Sequence, residues 1–294
     1  MLDINYYMTG ERSPYPALYN IETTNKCNQT CSFCPRTKYM TRPVETLEMW
    51  VFERIVQQIR PWSKDEWDMW VKYCESHYKV FDGEQNENHF LLYIIAKSIV
   101  LHGYGEPLLD PHIADRVAIL KDEDIPVYFS SNYNNVSPEK VEPLFDVGLD
   151  YLKIAVSSTE VSRIEPVIAL RDKYNYPTTI VLATIFPKVW EVLKKFDSVY
   201  KYLKSQDQQW VDGKTDKAKS IHWSEPCKFP WSTMSIQSNG LVSVCMEDYD
   251  NELIMGDAKT ESLYDIWNSE DYEFLRTNQH RIDKCMERCD IRVM

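Results

Sequence analysis

The stretch Cys27–Arg36 reads CNQTCSFCPR, and Cys27, Cys31 and Cys34 form a CxxxCxxC run after a strand-like segment, Leu18 to Thr23. Three thiols this close cannot all pair as disulfides, and a tetrahedral zinc site would need a fourth ligand that the neighbourhood does not offer. A cubane iron–sulfur cluster with one open iron fits the count, because thiolates hold such clusters and an iron without a cysteine can bind a small molecule. Four more cysteines, Cys227, Cys245, Cys285 and Cys289, lie toward the other end, and that partition points to two clusters.

Around this run the chain alternates β-rich and amphipathic segments from Ala17 to about Thr184, the pattern of a parallel α/β sheet. Strands are expected at Leu18 to Thr23, Ser98 to His102, Val127 to Ser131, Tyr151 to Ser157 and Thr179 to Ile185. Helices are expected at Leu47 to Ile59, Ile113 to Lys121, Pro138 to Phe145 and Val161 to Tyr174, with another from Pro187 to about Leu203. Ser137 before Pro138 reads as a helix cap followed by a first-turn proline. In βα folds the loops at the C-terminal strand ends gather around one mouth, and the cysteine run follows the first strand there.

Residues 61–97 break the rhythm with a polar stretch carrying Trp62, Trp67, Trp70, Tyr73, His77, Tyr78 and Phe81. Lys64 to Lys79 has helical character and Asp82 to Asn88 reads as a loop. A connection this long is a substrate lid or a surface helix packed on the sheet. Cys74, within it, reads as a small buried hydrophobe, with quenching of a substrate radical as the alternative. Beyond a polar stretch at 205–220, strands around Ser238, Asn239 and Gly240 give a hairpin signal, followed by short helices at Leu263 to Trp267 and Tyr272 to Arg276.

A length of 294 residues suits one large α/β domain with an extension. The net charge of -12 argues against a nucleic-acid partner, since binding a phosphate backbone needs clustered cations. No apolar run reaches the ~20 residues of a membrane span, and the first residues lack a signal-peptide pattern, so the chain reads as cytoplasmic. Eight cysteines in that setting favour metal ligation over disulfides.

CNQTCSFCPR resembles the cluster loop of the radical S-adenosylmethionine (SAM) superfamily, with Phe33 at its usual aromatic position. The resemblance implies a partial (β/α)6 TIM-like barrel over residues 1–204. Cys27, Cys31 and Cys34 would bind a [4Fe-4S] cluster whose fourth iron chelates SAM. Reductive cleavage of SAM would then give a 5′-deoxyadenosyl radical that abstracts hydrogen from a substrate. Gly103-Tyr104-Gly105-Glu106-Pro107 follows the second strand, where the family carries a glycine and glutamate motif that contacts the SAM ammonium. Glycine allows close backbone approach, and a carboxylate can accept from an ammonium; the alternative is a tight turn. Tyr104, Gly105 and Glu106 are therefore expected at the cofactor, with Ser130, Ser131, Asn132, Ser157 and Ser158 at later strand ends for the SAM ribose and carboxylate. Ser and Asn there serve equally as turn formers and caps.

Cys227, the Gly240 to Cys245 spacing, Cys285 and Cys289 resemble the auxiliary-cluster domain called SPASM, or its shortened twitch form, over residues 205–294. Four cysteines suffice for one [4Fe-4S] cluster with every iron ligated, which suits electron transfer or a structural staple. The final pair departs from the pattern, being CxxxC where CxxC is usual. The pattern is most similar to the aminocyclitol dehydrogenase type of butirosin biosynthesis, through YGEPLL at Tyr104 to Leu109 and the run from Cys245 to the Asp265-Ile266-Trp267 helix. That likeness implies hydrogen abstraction from a carbinol carbon of a small polyol or sugar-like substrate, with the electron passing to the auxiliary cluster. Glu247 and Asp248 would then lie near cluster and substrate; otherwise they are ordinary surface carboxylates.

The alternative substrate is a ribosomally made peptide, to be epimerised, crosslinked or oxidised; about 26 residues precede Cys27, few for a leader-binding domain. A flavodoxin or ferredoxin is the electron donor the family implies. A non-enzymatic cysteine-rich metal module would explain neither the GEP position nor the βα rhythm.

Overall fold

The computed structural model describes residues 1–32, 34–204 and 227–279. Its strands are β1 Leu18–Ile21, β2 Ile99–Val100, β3 Val127–Asn132, β4 Tyr151–Ala155, β5 Thr179–Thr184, β6 Tyr200–Leu203, β7 Met234–Ile236, β8 Leu241–Ser243 and β9 Ile254–Asp257. They fall into two compact units.

One unit holds Arg60–His102 and the chain from Glu106 to the end of β6, together with Met1. Strands β2 to β6 pair in parallel and in chain order, with Ile99 opposite Val127, Ser130 opposite Lys153, Lys153 opposite Val181 and Val181 opposite Tyr200. Crossover helices Ile113–Asp122, Pro138–Asp146, Ile164–Tyr174 and Pro187–Leu193 join them. Each helix turns a buried stripe inward, such as Val117 and Leu120 or Val141, Leu144 and Phe145. A buried side chain of this size contributes about 1.5–3 kcal/mol, so these stripes hold the βα units together. Their short connections bring Glu106, Ser130 to Asn132 and Ser157 to the C-terminal ends of successive strands.

Two expectations change here. The helix from Pro187 stops at Leu193, and Tyr200–Leu203 is the strand β6. Asp197 and Ser198 break the helical run, and pairing of Tyr200 and Tyr202 with β5 outweighs weak local preference. Ser137 does stand before the helix, but its hydroxyl makes no backbone cap bond and binds Glu139 instead.

In the 61–97 insertion the helix Lys64–Tyr73 opens on a capping box of Ser63 and Glu66 and runs into a π-helical turn, Cys74–Tyr78. The expected loop stands over Asp82 to Asn86, and its last two residues begin a short helix, Glu87–His89, that continues into π-helical turns at Phe90–Ile95. Trp70 is buried, and its indole N–H donates to the Leu92 carbonyl at 2.7 Å, closing the insertion on itself. Cys74 is buried too; burial pushes its thiol up to about 12, so it stays protonated.

The other unit groups Leu2–Ile59 and Gly103–Gly105 with the C-terminal region, here described from Cys227 to Gln279. The N-terminal segment thus joins the C-terminal one. The cause is strand pairing: β1 runs parallel to β7, with Leu18 opposite Met234 and Ile21 opposite Ile236. Strands β7, β8 and β9 continue antiparallel, and Gly240 takes the left-handed conformation (φ +84°) that the expected hairpin turn requires. The strand β9 was not expected; Gly256 within it leaves room for Ile266, whose Cγ1 would lie 2.6 Å from an added Cβ. Phe52 and Ile55 of the helix Met49–Val56, and Leu263, Ile266 and Trp267, are among the buried side chains of this unit.

Candidate functional site

In the second unit, β1 runs into four buried polar residues, Glu22 to Asn25, before the cysteine loop. Asn25 ties the loop base: its amide donates to the Pro43 carbonyl at 2.7 Å and its Oδ1 accepts from the Glu45 N–H at 2.7 Å. Arg36, two residues past the last cysteine, returns to the Asn25 carbonyl at 2.7 Å. Cys27, Cys31 and Cys34 are partly exposed and free of disulfides. The Cys31 carbonyl accepts from the Cys34 N–H at 3.1 Å, and the Gln29 N–H donates to the Cys27 sulfur at 3.4 Å. Burial raises the Cys34 thiol pKa, the Arg36 and Thr37 N–H groups oppose that, and the neighbouring Cys31 and Cys27 add to it. Three thiols close enough to influence one another, on a braced loop open to solvent, fit an iron–sulfur cluster. Among the described residues no three metal-ligating side chains converge as closely as a single metal ion needs. Phe33 lies outside the described residues.

Gly103-Tyr104-Gly105 packs against the end of β1 so tightly that only glycine fits. A Cβ on Gly103 would lie 2.6 Å from Glu22 Oε1, and one on Gly105 only 1.9 Å from the Thr24 carbonyl oxygen. Glu22 Oε1 accepts the Tyr104 N–H at 2.8 Å, and Glu22 pairs with Arg42 at 2.6 Å, their side chains 2% and 3% exposed. Arg42 also donates to the Tyr249 carbonyl at 2.7 Å and the Ser238 hydroxyl at 3.1 Å, while the Ser238 N–H donates to Glu22 Oε2 at 3.1 Å. This hub joins the β1 end, the residues after the cysteine loop, the glycine turn and the C-terminal hairpin. Sequence reasoning missed it, since no spacing rule relates positions 22, 42 and 238.

Tyr104 is buried, with its hydroxyl donating to Glu247 Oε2 at 3.4 Å and its ring edge-on to Tyr249 at 5.9 Å. Burial, then the charges of Glu247, Cys245, Cys34 and Glu22, hold its phenol well above the usual tyrosine value. The phenol thus feels one cysteine of each set, Cys34 and Cys245. Cys245 is partly exposed, and its sulfur accepts the Glu247 N–H at 3.4 Å. Asp248 serves differently from Glu247: it is buried and accepts from the Ser243 hydroxyl at 2.9 Å and the Glu252 and Leu253 N–H groups at 2.8 Å each. Those bonds shape the turn after Cys245. At Cys227, the Gln279 side chain accepts the backbone N–H at 2.8 Å and donates to the carbonyl at 2.9 Å. Cys285 and Cys289 lie outside the described residues.

In the first unit Glu106 is 2% exposed, and its carboxylate accepts from the Ser131 hydroxyl at 2.7 Å, the Asn132 N–H at 2.8 Å and side-chain amide at 2.5 Å, and the Leu108 N–H at 3.1 Å. Burial raises its pKa against these donors. The expected partner was an ammonium; here both oxygens, with Ser131 and Asn132, tie the loop after β2 to the end of β3. Ser130 is partly buried, and its N–H donates to His102 Nδ1 at 3.2 Å. Ser157 is exposed at the end of β4, and Ser158 accepts the Glu160 N–H at 3.1 Å as a turn former.

Three free cysteines in a braced loop after β1 in one unit, and a parallel βα sheet in the other, are features of an iron–sulfur protein of the radical SAM class. The radical SAM superfamily model matches residues 21–181, more than half of the chain, and the chain belongs to that superfamily. A model described as the SPASM iron–sulfur cluster-binding domain matches residues 227–290, a span that includes Cys227, Cys245, Cys285 and Cys289. SAM, a [4Fe-4S] cluster and auxiliary iron–sulfur ligation follow from these memberships. A comparison with curated protein sequences gives no match. Among solved structures the chain is similar to BtrN in complex with AdoMet and 2-DOIA, with a TM-score of 0.57 and 14% identity over 96% of this chain and 99% of that one. It is also similar to native anSMEcpe with bound AdoMet, with a TM-score of 0.55 and 12% identity over 93% and 89%. These likenesses establish the fold. Among the described residues no helix is long and apolar enough to cross a membrane.

Proposed function

We propose that this radical SAM enzyme oxidises a small polyol or sugar-like substrate, with one auxiliary [4Fe-4S] cluster as the electron acceptor. The observation that carries the reading is the position of Tyr104, whose hydroxyl meets Glu247 beside Cys245 while its backbone is locked to the base of the Cys27–Cys34 loop. Cys27, Cys31 and Cys34 would hold the SAM cluster, and Cys227, Cys245, Cys285 and Cys289 the auxiliary one. When bound, these groups supply a 5′-deoxyadenosyl radical for hydrogen abstraction and a sink for the electron that the oxidised substrate gives up.

The chain's own residues do the rest. Gly103 and Gly105 let the backbone lie against β1, and Glu106 with Ser131 and Asn132 sets the strand-end rim that, with Ser130 and Ser157, would receive the SAM ribose and carboxylate. Glu247, rather than Asp248, is the carboxylate we assign to the substrate side, where it can hold the proton released when a carbinol becomes a carbonyl. A flavodoxin or ferredoxin would supply the first electron, and the reading places the enzyme in the cytoplasm. The fold shared along nearly the full length of BtrN, a protein solved with 2-DOIA, supports a small molecule ahead of a peptide.

The test is an electron count. Anaerobically reconstituted, reduced protein should release 5′-deoxyadenosine from SAM and, with substrate, form more of it than the external electrons consumed, because oxidation returns an electron. A one-to-one ratio would mean reductive quenching and overturn the dehydrogenase reading. Catalytic turnover with unoxidised product would favour redox-neutral chemistry such as epimerisation.

A further inference from the structure

The stretch Ile4–Thr9, INYYMT, precedes every motif named above and folds as one short helix. Asp3 caps it, its carboxylate accepting the Tyr6 N–H at 3.3 Å. This helix packs on the helix Phe229–Ser232, which begins just after Cys227. The Asp3 N–H donates to the Ser232 carbonyl at 2.8 Å. The Ser232 hydroxyl spends its proton on the Lys228 carbonyl at 2.9 Å, so its oxygen accepts from the Tyr7 hydroxyl at 3.3 Å. The Tyr6 ring stacks on Trp231, with centroids 5.9 Å apart and planes within 6° of parallel, and the Lys228 ammonium lies 5.8 Å from the Tyr7 ring centroid. The N-terminal helix thus fixes residues 228–232, while Gln279 holds the backbone of Cys227 itself.

The same tyrosines stand beside the thiols. Tyr6 and Tyr7 feel the charge of Cys227, and Tyr19, on β1, feels those of Glu247, Cys245 and Tyr7. Tyr7 and Tyr19 therefore lead from one described cysteine of the C-terminal set to the other. Tyr19 also meets Phe229 edge-on at 6.1 Å, which joins β1 to the helix after Cys227. Tyr6, Tyr7 and Tyr19 are partly exposed, as are Cys227 and Cys245, and all five belong to one compact unit. A cluster bound to both sulfurs would lie along these rings, which fill space that water would otherwise take. Solvent exposure is one of the levers on an iron–sulfur potential, because water stabilises the more negative, reduced state.

We propose that the N-terminal helix is part of the auxiliary-cluster site: Tyr7 anchors the turn after Cys227 through Ser232, and the rings of Tyr7 and Tyr19 keep water from the cluster. Both are positioning residues, acting on the electron acceptor rather than on the substrate. The inference rests on the reading above for the cluster itself, and adds to it the part of the chain that sets the cluster's potential.

The test uses full-length protein carrying Cys27→Ala, Cys31→Ala and Cys34→Ala, reconstituted anaerobically, so that the C-terminal set alone can hold a cluster. Iron content, the EPR signal of the reduced cluster and its midpoint potential are measured. Tyr7→Ala and Tyr19→Ala should each raise the potential by about 59 mV, a tenfold shift in a one-electron equilibrium. Tyr7→Phe and Tyr19→Phe keep the ring and should leave the potential near that of the parent. Tyr7→Phe loses the bond to Ser232, and should release iron to a chelator several-fold faster than Tyr19→Phe does. A folded alanine variant with an unmoved potential, or equal shifts with phenylalanine and alanine, overturns the proposal. A parent protein without iron ends the auxiliary-cluster reading and this inference with it, whereas about four irons per chain with unmoved potentials end this inference alone. If one alanine variant fails to fold, the other position decides by the same comparison.

Discussion

Arg42 in one compact unit and Lys153 in the other are both cations drawn out of water, and the protein treats them in opposite ways. Arg42 has every direction answered: Glu22, Ser238 and the Tyr249 carbonyl take its donors within 3.1 Å. Lys153 has ring faces around it and a second lysine acting on it, but among the described residues no carboxylate pairs with it. A buried charge that is fully paired fixes the backbone around it; one left unpaired raises the free energy of the protein. The first is architecture for the cysteine loop; the second is a cost that the sheet carries.

The largest break in that comparison comes from Arg42→Met, which strands the Glu22 carboxylate and should cost about 3–5 kcal/mol, seen as a lower urea midpoint at unchanged slope. Adding Glu22→Gln should recover part of the loss; if the double variant is as unstable as the sum of its parts, the hub is not a unit. Next comes Gly105→Ala, whose methyl meets the Thr24 carbonyl and should cost about 1–3 kcal/mol in the same measurement.

Lys153→Met should act with the opposite sign, stabilising the protein by about 1–2 kcal/mol near neutral pH. The unfolded lysine titrates near ~10.4 and the folded one at about 7, so between those values the unfolded chain binds a proton that the native chain does not. Stability of the unaltered protein should therefore rise with pH across that window, and its deficit against the methionine variant should shrink. A pH-independent difference would remove the charge from the explanation. The smallest expected effect is that of Tyr104→Phe, about 1 kcal/mol or less, since its contact with Glu247 is long. Its use is to sharpen the comparison: the phenol should matter more for product yield per deoxyadenosine than for the urea midpoint.

What could be read in advance was local. The cysteine spacing, the βα rhythm and the Ser238-Asn239-Gly240 turn each rest on neighbours in sequence, and β1 to β5 and the hairpin stand within a few residues of where periodicity puts them. The end of the Pro187 helix was not legible, because Lys194 to Phe196 continue an acceptable helical pattern and only pairing with β5 makes a strand of Tyr200–Leu203. Glu106 was singled out as a carboxylate at a strand end, and the donors that engage it, Ser131 and Asn132, come from a different strand. Arg42 and Lys153 carried no signal: an arginine in YMTRPVETL and a lysine in YLKIAV look alike as surface charges until the sheet decides which side faces inward. Charges are sorted by tertiary structure, and patterns of apolar residues do not encode that sorting.

Gln279 grips both backbone groups of Cys227 as a neighbouring strand would, across 52 residues of chain. That bond gives biosynthesis an order. Until the ribosome has released residue 279 and the helix Glu270–Thr277 before it has docked, Cys227 lacks both of these backbone bonds. Iron–sulfur loading at this end then follows the synthesis of residue 279, whereas the Cys27–Cys34 loop, braced by Asn25, Arg36 and Glu45, has its local scaffold as soon as Glu45 has been made.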